Sequence, residues 1–86
     1  MNEKEIMDKI ITIFRSLLEV EHITKENSLI DDLEISSLES FVVLGELEEA
    51  FGISIPEKMV LQMVTVEDVV QIVTGILNRK KLSVGS

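Results

Sequence analysis

Residues 36–52 read SSLESFVVLGELEEAFG and contain signals for the start, the buried face and the end of one helix. Ser36 and Glu39 have the capping-box spacing, in which each side chain hydrogen-bonds the backbone amide of the other. Gly52 follows the last apolar residue, as is typical of a helix C-terminal stop. We therefore predict a helix over residues 37–51. Its predicted inward stripe, with Val43 beside it, is Leu38, Phe41, Leu44, Leu47 and Phe51.

Three more helices are predicted outside this stretch. Apolar residues recur at spacings of three and four over residues 3–18, which indicates an amphipathic helix. A short third helix is predicted over about 57–63, opened by Pro56. Thr65, with Asp68 three residues later, is the predicted N-cap of a fourth helix. Its β-branched residues leave an edge strand over 69–73 as the less favoured alternative.

The segment between the first two helices, residues 19–36, carries no clear periodicity and is long for a connection in a compact domain. Its apolar side chains are expected to pin it to the core, and they are Leu29, Ile30, Leu33 and Ile35. The predicted fold is all-α: a four-helix bundle with a long first loop and a short third helix. Residues 1–78 are expected to form a single domain and residues 79–86 a flexible basic tail.

Composition excludes several classes of function. The chain has 86 residues and a formal net charge of −8, which argues against nucleic acid and anionic membranes as partners. It has no Cys and one His, so disulfides and Cys-ligated zinc are excluded, and we predict no metal site and no catalytic residue. The first residues do not have the pattern of a signal peptide, so none is expected, and no apolar run reaches the roughly 20 residues of a membrane span. A cytoplasmic monomer without membrane insertion is expected.

Ser37 is the candidate site residue, because a capping box at Ser36 places it at the first position of the predicted helix. A phosphate attached there would lie at the positive end of the helix dipole. The alternative is that Ser36 and Ser37 only begin a helix, since capping boxes are common.

From Ser28 to Pro56 the chain resembles the acyl carrier protein family. The resemblance lies in residues 28–33, 37–39, 47–49 and 51–56, and 65–69 also fit. It implies the same four-helix fold and a 4′-phosphopantetheine arm on the serine that opens the second helix, here Ser37. A phosphopantetheinyl transferase would attach the arm from coenzyme A, and acyl groups would be held on its thiol as thioesters. Such a protein presents a tethered intermediate to enzymes and performs no reaction itself.

Three residues depart from the family pattern. Ser36 precedes the candidate serine where Asp is usual, and Glu34 stands where Gly is common. Val42 occupies a position that often holds an exposed acid. These departures indicate a specialised carrier rather than the housekeeping carrier of fatty acid synthesis.

Acidic residues surround the candidate site, and nine of them lie between Glu26 and Glu57 with no Lys or Arg. Such an excess of one charge steers basic partners. We predict docking of acyl-transferring and chain-modifying enzymes that have basic patches; the alternative is a solvated face that keeps the domain soluble. The predicted docking residues are Glu39, Glu46, Glu48 and Glu49.

The predicted function is therefore an acyl carrier protein of a fatty acid, polyketide or related specialised pathway. Two alternatives remain open at this point: a peptidyl or aminoacyl carrier, and an unmodified helical adaptor of the same fold. An enzyme is the least favoured class, because no base is placed near Ser37.

Overall fold

The structure is a computed structural model that describes residues 2–85, with side chains described through Arg79. Four helices follow one another, and the all-α prediction is confirmed. The β-type pairing found within residues 2–85 is one isolated antiparallel bridge between Ser28 and Thr65. The first helix packs against both the second and the fourth. The helices are α1 (Glu3–Leu18), α2 (Ser37–Phe51), α3 (Glu57–Val60) and α4 (Val66–Gly85).

One aliphatic core lies between α1, α2 and α4. Ile6, Ile10 and Phe14 recur every four residues along α1 and are at most 2% exposed. The fourth helix contributes four valines to the core, so packing overrides the weak helix propensity of β-branched residues. The core is completed by residues of the connections. The buried residues outside α1 are Ile23, Leu33, Val43, Leu47, Ile53, Ile55, Val66, Val69, Val70 and Val73.

The buried face of α2 differs from the predicted stripe. Leu38 and Phe41 were predicted to face inward, but they are 75% and 73% exposed. The buried positions are Val43 and Leu47, with Leu44 and Phe51 partly buried against them. The prediction failed at the N-terminal half because apolar residues cover more than one face of this helix, so periodicity alone does not say which face meets the core.

The long connection over residues 19–36 is held by its own hydrogen bonds and by the segment before α4. The amide of Leu29 donates to the carbonyl of Val64 over 2.9 Å, and the amide of Val66 donates to Asn27 over 3.0 Å. Leu33 is buried, and Leu29 and Ile35 pack against the core as expected. The same prediction was wrong for Ile30, which is 74% exposed.

The third helix is shorter than predicted and ends at Val60 rather than at residue 63. Beyond it the chain continues in tight turns, in which the amide of Met63 donates to the carbonyl of Val60 over 3.1 Å. By Val64 the backbone has left the helix: its carbonyl accepts from the amide of Leu29, and its amide donates to Asp68 Oδ2.

The start of α4 is capped as the sequence predicted. The amide of Asp68 donates to Thr65 Oγ1 over 3.2 Å, and Asp68 Oδ2 accepts from the amides of Thr65 and Val64, each over 3.0 Å. These backbone donors, that of Thr65 most of all, hold the pKa of Asp68 below its usual range. The ionised carboxylate therefore stabilises the junction between α3 and α4.

We expect Asp68→Asn to lower the free energy of unfolding by roughly 0.5–1 kcal/mol at pH 7, since an amide is a weaker acceptor for two backbone donors. Because the folded-state pKa is depressed, the charge stabilises the fold above the unfolded-state pKa of about 3.9, and this contribution is lost as pH falls through the folded value. Urea unfolding at pH 7 and at pH 3 should therefore show a difference between variant and wild type that shrinks in acid.

Glu67→Gln is the matched control for Asp68→Asn, because it removes an exposed carboxylate one residue earlier. No hydrogen bond to the Glu67 side chain is found within the described part of the chain. It should change the unfolding midpoint little at either pH. An equal loss of stability for Asp68→Asn at both values of pH would contradict a role for the charge.

The fourth helix runs to Gly85 and so continues past residue 78, where the domain was expected to end. Helical backbone over 79–85 was not predicted, because that segment lacks the regular apolar spacing that indicates an amphipathic helix. The flexibility of residues 79–86 and the boundary at 78 stay predictions. None of the helices in the described residues is long and apolar enough to cross a membrane.

Candidate functional site

The predicted capping box at the start of α2 is present. The amide of Glu39 donates to Ser36 Oγ over 3.2 Å, and the amide of Ser36 donates to Glu39 Oε1 over 2.9 Å. Ser36 has extended backbone angles, so the helix begins at the next residue, Ser37. Replacing the family's usual Asp by Ser at position 36 therefore leaves the start of the helix intact.

Ser37 has a hydroxyl that is free for modification. The residue is exposed, and its side chain makes no hydrogen bond with any described part of the chain. Its neighbours differ: Ser36 Oγ accepts from Glu39, and Ser40 Oγ donates to the carbonyl of Ser36 over 3.0 Å. Among the three serines at this helix start, Ser37 is the one whose hydroxyl has no structural role.

The surroundings of Ser37 suit a phosphodiester. The amides of Ser37 and Leu38 belong to the first turn of α2 and have no intrahelical acceptor. The amides of Glu39 and Ser40 are already satisfied by Ser36. Two free amides and the helix dipole therefore favour an anion at this point. The hydroxyl could hold a phosphopantetheine arm, which when bound supplies a thiol for thioester chemistry.

The turn that leads into the site carries a residue in an unfavourable conformation. Glu34 has φ 51°, in the left-handed region. That region disfavours residues with a Cβ by about 1 kcal/mol or more. Glycine, the residue common here in the family that the sequence resembles, would adopt it without strain. The residues on either side of Glu34 hold the turn in this conformation. Leu33 is buried, and the amide of Ile35 donates to the carbonyl of Leu29 over 3.0 Å.

An apolar cavity of about 270 Å³ opens beside the site. It lies between α2, the long connection and the segment around α3, and Ser40 connects it to the start of α2, one turn after Ser37. Its size is just below the roughly 300–1,000 Å³ of typical ligand pockets. Ser40 is the one polar residue in a lining that otherwise consists of Phe14, Leu29, Ile30, Ile35, Val43, Leu44, Leu47, Val60, Leu61, Met63 and Val69.

The four predicted docking acids are not equivalent. Glu46 and Glu49 are exposed, and within the described residues their carboxylates make no hydrogen bond. Glu39 is exposed but takes part in the capping box. Glu48 is partly buried, and its Oε2 accepts from the amide of Ile55 over 2.8 Å. Because Glu48 ties the connection after α2 to the helix, its replacement would disturb the fold as well as any docking.

Two features near the far end of α2 were not predicted from the sequence. Lys9 Nζ on α1 donates to the carbonyl of Ala50 over 3.1 Å and lies 5.2 Å from the ring centre of Phe51. This lysine therefore stabilises the C-terminal end of α2. The hydrogen bond joins residues 41 positions apart, and no local pattern in the sequence predicts it.

Comparison with known proteins gives consistent results. A family model described as a phosphopantetheine attachment site matches residues 8–73. The chain is 36% identical to an acyl carrier protein of Thermosynechococcus vestitus, over 87% of this chain and 95% of the relative. It is 40% identical to an acyl carrier protein of Rubrobacter xylanophilus, over 85% and 93% of the two chains.

A solved structure assigned to an acyl carrier protein of Mycobacterium tuberculosis has the same fold. It superposes with a TM-score of 0.77 at 31% identity, covering 80% of this chain and 95% of that one.

The match to the phosphopantetheine attachment model, together with the four-helix fold, places this chain in the class of carrier domains for a serine-linked phosphopantetheine arm. The chain belongs to the acyl carrier protein family. Its members are carriers and not enzymes, and they carry 4′-phosphopantetheine covalently on a serine. They interact with phosphopantetheinyl transferases and with biosynthetic enzymes.

Proposed function

We propose that Ser37 is the residue that carries the phosphopantetheine arm and that the chain holds acyl intermediates of a specialised biosynthetic pathway in the cytoplasm. The observation that carries this proposal is the exposed, unbonded hydroxyl of Ser37 at the start of α2. Ser36 is less suitable, because its hydroxyl caps the helix, and modification would remove that acceptor from the amide of Glu39.

The cavity beside α2 favours an acyl cargo rather than a peptidyl or aminoacyl cargo. Eleven of its twelve lining residues are apolar, and the remaining one is Ser40. A hydrocarbon chain gains about 0.8 kcal/mol for each CH₂ that it buries. An aminoacyl group brings an ammonium that would lose its hydration in such a cavity without a partner.

Docking of biosynthetic enzymes is proposed at the acidic side of α2, with Glu46 and Glu49 as the main contacts and Glu39 and Glu48 beside them. The support is that Glu46 and Glu49 are exposed and that their carboxylates make no hydrogen bond or ion pair within the described residues. A partner with basic side chains would meet these carboxylates, and the attraction would weaken as salt is added.

The proposal is tested by incubating the purified protein with coenzyme A and a broad-specificity phosphopantetheinyl transferase and measuring its intact mass. A gain of one phosphopantetheine is expected. The holo-protein is then charged with an octanoyl group, and cleavage of the thioester by hydroxylamine is compared with cleavage of free octanoyl-pantetheine. Burial in the cavity should slow the cleavage several-fold.

Two outcomes would contradict separate parts of the proposal. No gain in mass, with the fold shown intact by circular dichroism, would favour the unmodified adaptor. A gain in mass with equal cleavage rates for the protein-bound and the free thioester would place the cargo outside the cavity and remove the argument for an acyl group.

A further inference from the structure

The cavity beside α2 has an open mouth and a closed inner end. At the mouth lie Ile30 and Leu61, which line the cavity although they are 74% and 78% exposed. At the inner end lie Phe14, Leu47 and Val69, which line the same cavity and are each 1% exposed. A chain that enters from solvent therefore passes the first two residues and ends against the other three.

Phe14 forms the wall of the inner end on the side of α1. Among the described residues it is the one that α1 contributes to the lining, just as Val69 is the one from α4. Its side chain is the largest of the three at this end. A ring that is buried in a close-packed core has little room to move aside, so Phe14 limits how far a chain can enter.

The volume of the cavity sets the length of chain that it can hold. A dry cavity of about 150 Å³ binds benzene, which corresponds to roughly 25 Å³ for each carbon. By the same ratio, the cavity of about 270 Å³ holds roughly ten carbons. Chains of this length belong to the medium-chain class of acyl groups.

The lining also limits which chemical groups the chain can carry. Ser40 is the one polar residue of the lining, and it is exposed, so it lies toward solvent and not at the inner end. Its Oγ already donates to the carbonyl of Ser36 over 3.0 Å. A hydroxyl or keto group far along the chain would therefore lose its hydration without gaining a hydrogen bond from a side chain of the lining.

We propose, on the basis that the chain carries an acyl group on Ser37, that its cargo is an unsubstituted medium-chain acyl group of up to about ten carbons. Phe14 sets this upper limit by closing the inner end of the cavity. Oxygenated chains, such as those that polyketide assembly produces, do not fit the inner end. The class of reaction that supplies or consumes this cargo is thus one that acts on fully reduced hydrocarbon chains.

The test compares a series of cargoes on the intact protein. A phosphopantetheinyl transferase attaches the arm from acyl-coenzyme A, with linear chains from hexanoyl to hexadecanoyl. Burial of the chain stabilises the folded state, because unfolding exposes it. The urea midpoint should therefore rise from hexanoyl to decanoyl and rise no further with longer chains. A decanoyl chain with a hydroxyl on its penultimate carbon should give a midpoint no higher than hexanoyl.

Two substitutions at the inner end should move the limit in opposite directions. Phe14→Leu should move it to longer chains by about two carbons, because leucine leaves room that the ring of Phe14 fills. In this variant hydroxylamine should cleave the dodecanoyl thioester several-fold more slowly than in wild type. Val69→Ile adds a methylene at the inner end and should move the limit to shorter chains.

Ile10→Val is the matched control for loss of packing in α1. Ile10 is 0% exposed and lies one turn before Phe14, but it does not line the cavity. This variant should lower the urea midpoint by a similar amount with every cargo and leave the limit in place.

The possible failures are distinguishable. A midpoint that keeps rising through hexadecanoyl, or a limit that neither Phe14→Leu nor Val69→Ile moves, would overturn the role of Phe14 and leave the proposed function standing. Equal midpoints for decanoyl and its hydroxylated form would overturn the restriction to unsubstituted chains. Failure of the wild type to gain the arm, or equal cleavage of bound and free octanoyl thioesters, would contradict the proposed function itself.

Discussion

Ser37→Ala is expected to abolish attachment of phosphopantetheine completely. The hydroxyl of Ser37 is the proposed nucleophile, and alanine removes it without touching the capping box formed by Ser36 and Glu39. Ser37 is exposed and its side chain makes no hydrogen bond in the described structure, so the free energy of unfolding should change by no more than about 0.5 kcal/mol. Intact mass after reaction with transferase and coenzyme A measures the first effect, and urea unfolding the second.

The two neighbouring serines provide controls for Ser37→Ala. Ser40→Ala removes a hydroxyl one turn away that donates to the carbonyl of Ser36, and it should leave the gain in mass unchanged. Ser36→Ala should cost about 0.5–2 kcal/mol of stability, since the cap is lost, and yet still allow attachment. If Ser37→Ala gained the arm and Ser36→Ala or Ser40→Ala did not, the attachment site would be one of those two serines.

Leu47→Ala is expected to destabilise the fold by about 2–5 kcal/mol, the range for removing a buried leucine side chain. Leu47 is 1% exposed and lines the cavity beside α2. The total free energy of unfolding of a domain is roughly 5–15 kcal/mol, so this single change would remove a large share of its stability. The free energy of unfolding from urea titration, with the slope compared with wild type, measures the effect.

Leu38→Ala is the matched control on the same helix. It makes the same chemical change nine positions earlier, at a leucine that is 75% exposed. The free energy of unfolding should stay within about 0.5 kcal/mol of wild type. Similar losses for Leu38→Ala and Leu47→Ala would mean that the inward stripe predicted from sequence is right and that α2 does not expose Leu38 to solvent.

Structural features that depend on neighbouring residues were predicted well. The capping box of Ser36 and Glu39, the stop at Gly52 and the cap formed by Thr65 and Asp68 each involve residues at most four apart or a single backbone angle. Such signals act within one helical turn, so the sequence contains all the partners. For the same reason the start of α2 and the position of Ser37 in its first turn follow from the amino-acid sequence alone.

The outward face of α2 could not be derived in this way. Residues 41–44 are four apolar residues in a row, and they occupy every side of the helix. Which of them is buried depends on where α1 and α4 lie, and these helices are distant in sequence. Phe41 was therefore predicted as a core residue, although it is 73% exposed.

By itself, then, the sequence determined the number and order of the helices, the capped start of α2 and the family resemblance, because these follow from local hydrogen bonding and from ordered motifs. Tertiary packing decided which side of α2 faces the solvent, that Glu48 binds the amide of Ile55, and that a cavity opens beside Ser40. The physical reason is that burial is a property of contacts between distant segments. Local patterns limit those contacts but do not specify them.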